Sequence, residues 1–145
     1  MLYIDTSVMV KLYVKETHSF DVSSWIKKNN EAIPLTGIHE LEFINAINLK
    51  KYRSEISGDD IRLILARFTE HEHRGVYYRP QIDWTDIFNN AVGLSKTYTA
   101  KTGSRSLDIL HVATALSIRA EQFMTFDNMQ SELASIAGLR IIKLK

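Results

Sequence analysis

Four carboxylates sit where short apolar runs end or where helices begin. Leu2-Tyr3-Ile4 leads directly into Asp5, and Phe123-Met124-Thr125-Phe126 leads into Asp127. Asp108 stands near the start of Leu107-Asp108-Ile109-Leu110-His111, and Glu42 lies in His39-Glu40-Leu41-Glu42-Phe43. A parallel sheet brings strand ends and the N-termini of the following helices to one edge, so such a chain can gather Asp5, Glu42, Asp108 and Asp127. Crowded carboxylates repel and take up protons unless a cation joins them. Hard divalent ions such as Mg²⁺ or Mn²⁺ want oxygen ligands and tolerate retained water. A set of acids with no cysteine in the chain and no paired-histidine motif suits those ions.

Each acid also has an ordinary structural role. Asp5 can end a strand, Asp108 suits the positive end of a helix dipole, Asp127 suits a turn and Glu42 can be solvated. Taken singly these roles suffice; the crowding of four argues for a cation. Glu42 competes with Glu40. On a helical wheel Glu42 shares a face with Ile38, Asn45, Ala46 and Leu49, which reads as the more enclosed side, while Glu40 falls between Ile47 and Lys51.

The elements that must position these acids are short strands alternating with helices. Strands are expected at Leu2–Ile4, 32–35, 76–78, 123–125 and 139–142. Helices are expected from Thr6 or Ser7 to about Val14, then over Ser19–Asn29, 38–53, 60–70 after a cap at Asp59, 84 to about 100 after a cap at Asp83, 107–120 after a cap at Ser106, and 131–137 before Gly138. Strands that are apolar throughout imply a sheet covered on both faces. The expectation is an α/β fold of three layers, α/β/α, with a mostly parallel sheet of about five short strands and right-handed crossovers.

Length and composition agree. The 145 residues are 45% hydrophobic and 24% charged, with two prolines, which is the profile of one folded domain over 1–145. The absence of cysteine removes disulfide scaffolds, thiol nucleophiles and thiolate zinc sites, and fits a cytoplasmic protein. No apolar run approaches the roughly 18–20 residues needed to span a bilayer, and the apolar start is broken by Asp5 and Lys11, so it reads as a strand entering a helix and not as a leader. No phosphate-binding glycine loop, dinucleotide turn or Gly-x-Ser-x-Gly elbow is present.

The motifs carry a family resemblance. Tyr-Ile-Asp-Thr-Ser-Val-Met-Val-Lys-Leu-Tyr at 3–13 resembles the opening of PIN-domain proteins, in particular VapC-like toxin ribonucleases of type II toxin–antitoxin systems. Glu-Phe-Ile-Asn-Ala-Ile at 42–47 resembles their second acid, which favours Glu42 over Glu40. Ser-Leu-Asp-Ile-Leu-His-Val-Ala-Thr-Ala-Leu at 106–116 resembles the third-acid helix, and Phe-Met-Thr-Phe-Asp-Asn-Met-Gln at 123–130 the strand and turn of the fourth. Residues 54–100 match in general character alone.

The resemblance implies an endoribonuclease that uses Mg²⁺ or Mn²⁺ held by Asp5, Glu42, Asp108 and Asp127, cuts RNA to leave a 5′ phosphate, forms a homodimer and is silenced by a cognate antitoxin laid into a groove near the acids. Helices at 7–14 and 38–49 are candidates for that groove, with core packing as the usual role of such apolar faces. Thr6, Ser7, Thr125 and Asn128 are candidates to orient the acids or a water, with helix capping as the competing role for Thr6 and Ser7.

Charge is consistent with an anionic substrate. The net charge is +1, from 18 bases and 17 acids; without the four site acids 13 acids remain, a surplus of five positive charges. Lys50, Lys51, Arg53, Lys96, Lys101 and Arg105 are candidate phosphate contacts, with an ordinary solvated surface as the favoured reading for any one of them. His71-Glu72-His73 is not a metalloprotease pattern and reads as surface, His111 reads as a core histidine ahead of a support for the acids, and Tyr77, Tyr78 and Trp84 read as packing before base stacking. Three other classes compete: an RNA-processing PIN nuclease, a phosphatase with an Asp5 nucleophile (disfavoured because its usual second Asp is Ser7 here), and a non-catalytic binding module.

Overall fold

The computed structural model describes residues 1–145. In chain order the elements are β1 (Leu2–Ile4), α1 (Thr6–Lys11), α2 (Ser19–Asn29), β2 (Ile33–Pro34), α3 (Gly37–Tyr52), α4 (Gly58–His73), β3 (Tyr77–Tyr78), α5 (Trp84–Leu94), a π-helical turn (Ser95–Thr99), α6 (Ala100–Thr102), α7 (Ser106–Ser117), β4 (Gln122–Met124), α8 (Asn128–Ile136) and β5 (Arg140–Ile141). They fall into two compact units, one of Met1–Asp5 with Pro80–Lys143 and one of Thr6–Arg79 with Leu144–Lys145. The expected α/β class with about five short parallel strands is met. The strands hydrogen-bond as a sheet of three in the first unit and a pair in the second.

In the first unit the strand order is β1-β4-β5, all parallel, with Tyr3 opposite Phe123 and Phe123 opposite Ile141. The inner strand residues are apolar on both faces because helices cover them, as the unbroken apolar runs require. Tyr3 and Phe123 stack at 5.4 Å. Around them close Ile87, Val112, Ala113, Ala115, Leu133 and Ala134, the alanines of α7 letting α5 and α8 approach. The parallel register has one consequence for chemistry: β1 and β4 end at the same edge, where the Asp5 amide donates to the Met124 carbonyl at 3.1 Å.

Helix starts differ from the expectations in ways that matter there. α8 begins at Asn128 and not at 131, because Asp127 is its cap and accepts from the Gln130 amide at 2.8 Å. Ser106 is the first residue of α7 and not its cap; Arg105 holds the cap position, and Asp108 accepts from its amide at 3.4 Å. The helix expected over 84–100 is α5 continued through the π-helical turn into α6, closed by Gly103 at φ 67°.

In the second unit β2 and β3 pair in parallel, Ile33 opposite Tyr77 and Pro34 opposite Tyr78. An aromatic core fills it: Phe43 stacks on Phe68 at 5.0 Å, and Tyr13 meets both edge-on. Thr36 caps α3, with the buried His39 ring hydrogen-bonded to the Thr36 hydroxyl and amide. Ser57, not Asp59, caps α4, which starts at Gly58 and runs on to His73; the Ser57 hydroxyl and Asp60 carboxylate exchange hydrogen bonds with each other's amides, which lowers the Asp60 pKa. α1 ends at Lys11, and its Val8, Met9 and Val10 are consumed by the core. Leu41, Ile44 and Leu49 on α3 remain exposed.

No helix is long and apolar enough to cross a membrane.

Candidate functional site

Three of the four expected acids belong to the first unit, and hydrogen bonds thread them together. Asp5, at the end of β1, is 5% exposed. Its Oδ2 accepts from the Thr125 hydroxyl at 2.7 Å. The same Thr125 Oγ1 accepts from the Asp127 amide at 3.0 Å. Asp127 Oδ1 is occupied by the cap bond to Gln130, while its Oδ2 lies 3.3 Å from Arg105 Nη2. Arg105 Nε lies 3.0 Å from Asp108 Oδ2. Gln130, 1% exposed, closes the circuit by reaching the Asp108 carbonyl with Nε2 at 3.4 Å, and its Oε1 is a buried oxygen without a hydrogen-bond partner. Thr125 is thus an orienting residue for two acids, as its sequence position suggested, whereas Asn128 is simply the exposed first residue of α8.

Glu42 lies in the second unit. Its Oε1 accepts from the Thr6 hydroxyl at 3.0 Å, and Thr6 is the residue that follows Asp5 in the chain. Thr6 is buried as the first residue of α1, with its hydroxyl donating to Glu42, and Ser7 is exposed. The enclosed stripe of α3 is His39, Phe43 and Ile47, so the wheel reading of an enclosed face at Ile38, Asn45, Ala46 and Leu49 does not hold, and Asn45 is exposed. Glu42 and Glu40 are both partly exposed. Their partners separate them. Glu40 Oε2 is taken by Arg79 Nη1 at 2.9 Å, and Arg79 also grips Glu72 through Nε at 2.6 Å. That guanidinium holds the Glu72 carboxyl below its usual range, and the two acids together raise the Arg79 pKa.

The other candidates resolve by contact. His111 is buried, its Nδ1 2.7 Å from the Tyr3 hydroxyl, which is the core role. His71 and Glu72 turn to different partners: His71 Nδ1 meets the Tyr13 hydroxyl at 2.7 Å and Glu72 meets Arg79, so the His-Glu-His run is no ligand set. Burial, then Arg67, lowers the His71 pKa. Burial also raises Tyr77, whose hydroxyl lies 2.9 Å from that of Tyr13, to about 12. Tyr77 is core, while Tyr78 and Trp84 stay partly exposed. Lys50 is engaged by Glu16 and Glu55, each at 3.4 Å, which leaves Lys51, Arg53, Lys96 and Lys101 as exposed bases outside any ion pair.

Within neither unit do three or more histidine, aspartate or glutamate side chains form a ready cage for a metal ion. The donor set fits a hard divalent ion in another way. Asp108 and Asp127 already converge on one cation, the Arg105 guanidinium, and magnesium is commonly held by one or two carboxylates with waters and substrate phosphates completing its shell. From the sequence Arg105 reads as a phosphate contact, and its pairing with the two acids has one local signal, its position three residues, one helical turn, before Asp108.

The PIN domain family model matches residues 2–136. Ribonuclease VapC47 of Mycobacterium tuberculosis (strain CDC 1551 / Oshkosh) is 25% identical over 132 residues, which cover 88% of this chain and 85% of that protein. Among solved structures, FitAcB from Neisseria gonorrhoeae matches 99% of this chain and 97% of its own with a TM-score of 0.67 at 15% identity. A toxin–antitoxin complex from Klebsiella pneumoniae matches the same shares with a TM-score of 0.57 at 20% identity. These last two likenesses are of fold.

Proposed function

The chain belongs to the PIN-domain family, and from that we propose that it is an endoribonuclease dependent on Mg²⁺ or Mn²⁺ and the toxin of a toxin–antitoxin pair. The observation that carries the reading is the convergence of Asp108 and Asp127 on a single cation, with Asp5 tied to the same group through Thr125. An RNA phosphodiester is anionic and bare carboxylates repel it. Asp5, Asp108 and Asp127 would hold the divalent ion, with Glu42 as the fourth ligand. When bound, the ion supplies Lewis acidity toward a phosphoryl oxygen and lowers the pKa of water. Thr125 and Thr6 fix the orientation of Asp5 and Glu42, and the cap bond from the Gln130 amide leaves Asp127 Oδ2 as the outward oxygen. The family model runs through both units, and we read 1–145 as one working domain.

Likeness to a ribonuclease supports RNA as substrate, and the fold shared with a toxin–antitoxin complex from Klebsiella supports an antitoxin partner. The exposed Leu41, Ile44 and Leu49 of α3 offer apolar contact for that antitoxin, and Phe88 and Val92 of α5 offer it for a second copy in a homodimer. We place the protein in the cytoplasm, where its RNA would be.

The test is cleavage of an RNA mixture by purified protein with Mg²⁺ or Mn²⁺ and with chelator. Asp108→Asn and Asp5→Asn should each lower cleavage by about a hundredfold or more while the circular dichroism spectrum is kept. Equal cleavage in chelator refutes the metal dependence. Growth arrest on expression, relieved by Asp5→Asn, separates a toxin from an RNA-processing nuclease.

A further inference from the structure

Asp108 and Asp127 are fixed from the protein side and neutralised from the solvent side. Buried Gln130 spans them, its amide on Asp127 Oδ1 at 2.8 Å and its side chain on the Asp108 carbonyl at 3.4 Å, and Thr125 holds the Asp127 amide. The two side chains are 14% and 30% exposed. Arg105, which supplies the positive charge, is 75% exposed and reaches them with Nε and Nη2 at 3.0 and 3.3 Å. A guanidinium this exposed is well solvated and screened, so holding it in place contributes little to stability. A divalent ion presents twice the charge to the same two oxygens, and an arginine cannot shed its own charge to make room. It must swing away. Once released, its planar fork suits phosphate, and it is still anchored one turn before Asp108.

We infer that Arg105 is a resident, displaceable counter-ion: it neutralises Asp108 and Asp127 in the metal-free protein, yields both oxygens to a divalent ion, and then binds a phosphate of the nucleic acid. This rests on the metal-dependent nuclease reading and adds the exchange step to it. One side chain then acts with opposite signs, weakening metal binding and strengthening nucleic-acid binding. A residue that merely caps α7 would do neither.

The experiment titrates Mn²⁺ into chelator-stripped full-length wild type, Arg105→Gln and Arg105→Lys, reading the free ion by electron paramagnetic resonance. In parallel, a fluorescein-labelled single-stranded oligodeoxynucleotide, checked intact on a gel, is bound in Mn²⁺ and read by anisotropy over a salt series. Arg105→Gln should bind Mn²⁺ about three- to tenfold more tightly, and the oligonucleotide about three- to tenfold more weakly, with the salt slope reduced by about one. Arg105→Lys, which keeps the charge without the fork, should fall between. Equal or weaker Mn²⁺ binding by Arg105→Gln overturns the inference while leaving the nuclease reading standing. Should neither wild type nor variant bind Mn²⁺ while both stay folded by circular dichroism, the metal reading falls and the counter-ion with it. Tighter metal with unchanged oligonucleotide binding overturns the phosphate half.

Discussion

Thr125→Val should destabilise the metal-free protein by about 2–4 kcal/mol. The substitution keeps the β-branched shape and deletes one hydroxyl. That hydroxyl donates to Asp5 Oδ2 at 2.7 Å and accepts from the Asp127 amide at 3.0 Å. A hydrogen bond to a charged group contributes about 1.5–3 kcal/mol and one between neutral groups about 0.5–1.5. Asp5 is only 5% exposed, so water can compensate little at its carboxylate. For a chain of this length 1 kcal/mol is worth about 3–4 °C, so the melting temperature should fall by about 6–15 °C. Thermal and urea unfolding followed by circular dichroism at pH 7 in chelator measure it, and Thr125→Ser should restore most of the loss. In a double-mutant cycle with Asp5→Asn the two changes should be less than additive, because they remove the same bond. Unfolding within about 0.5 kcal/mol of wild type for Thr125→Val, or identical values for Val and Ser, would refute the reasoning that Thr125 braces the acids.

Glu42→Gln should abolish RNA cleavage, whereas Glu40→Gln should keep it and cost stability by only about 1 kcal/mol or less, since Glu40 is spent on the half-exposed Arg79; cleavage and melting assays on the pair check this. Tyr3→Phe removes a buried hydroxyl 2.7 Å from His111 Nδ1 and should cost about 1–3 kcal/mol in urea unfolding, with cleavage retained once the protein is folded. His71 is held below its ordinary pKa of 6.5, chiefly by burial, then by Arg67 and Arg74, with Glu70 opposing. The unfolded chain therefore takes up this proton first. The His71 contribution is fully present above about pH 6.5 and is lost as the pH falls toward the folded value, and His71→Gln should flatten that part of the stability curve in a series of urea melts from pH 7.5 to 5.

The strand and helix pattern was legible because it is local. Unbroken apolar runs such as Leu2-Tyr3-Ile4 read as strands covered on both faces, and parallel pairing of two such strands puts Asp5, directly after β1, and Asp127, a short turn after β4, at one edge. The family motifs rest on those same segments. Other features depend on contacts between residues far apart in sequence, which periodicity does not encode. Glu40 and Glu42 are two residues apart on one helix and chemically alike; they differ because Arg79 reaches the first and Thr6 the second. Arg105 looked like any surface base, yet a turn of helix and the cap at Asp127 deliver it to two acids 3 and 22 positions away. Thr125 became a brace because parallel pairing of Ile4 with Met124 brings Asp5 beside it across 120 residues. Residue type fixes what a side chain can bind, while its actual partner is set by whichever neighbour the packed core leaves within about 3 Å, and that choice is made in three dimensions.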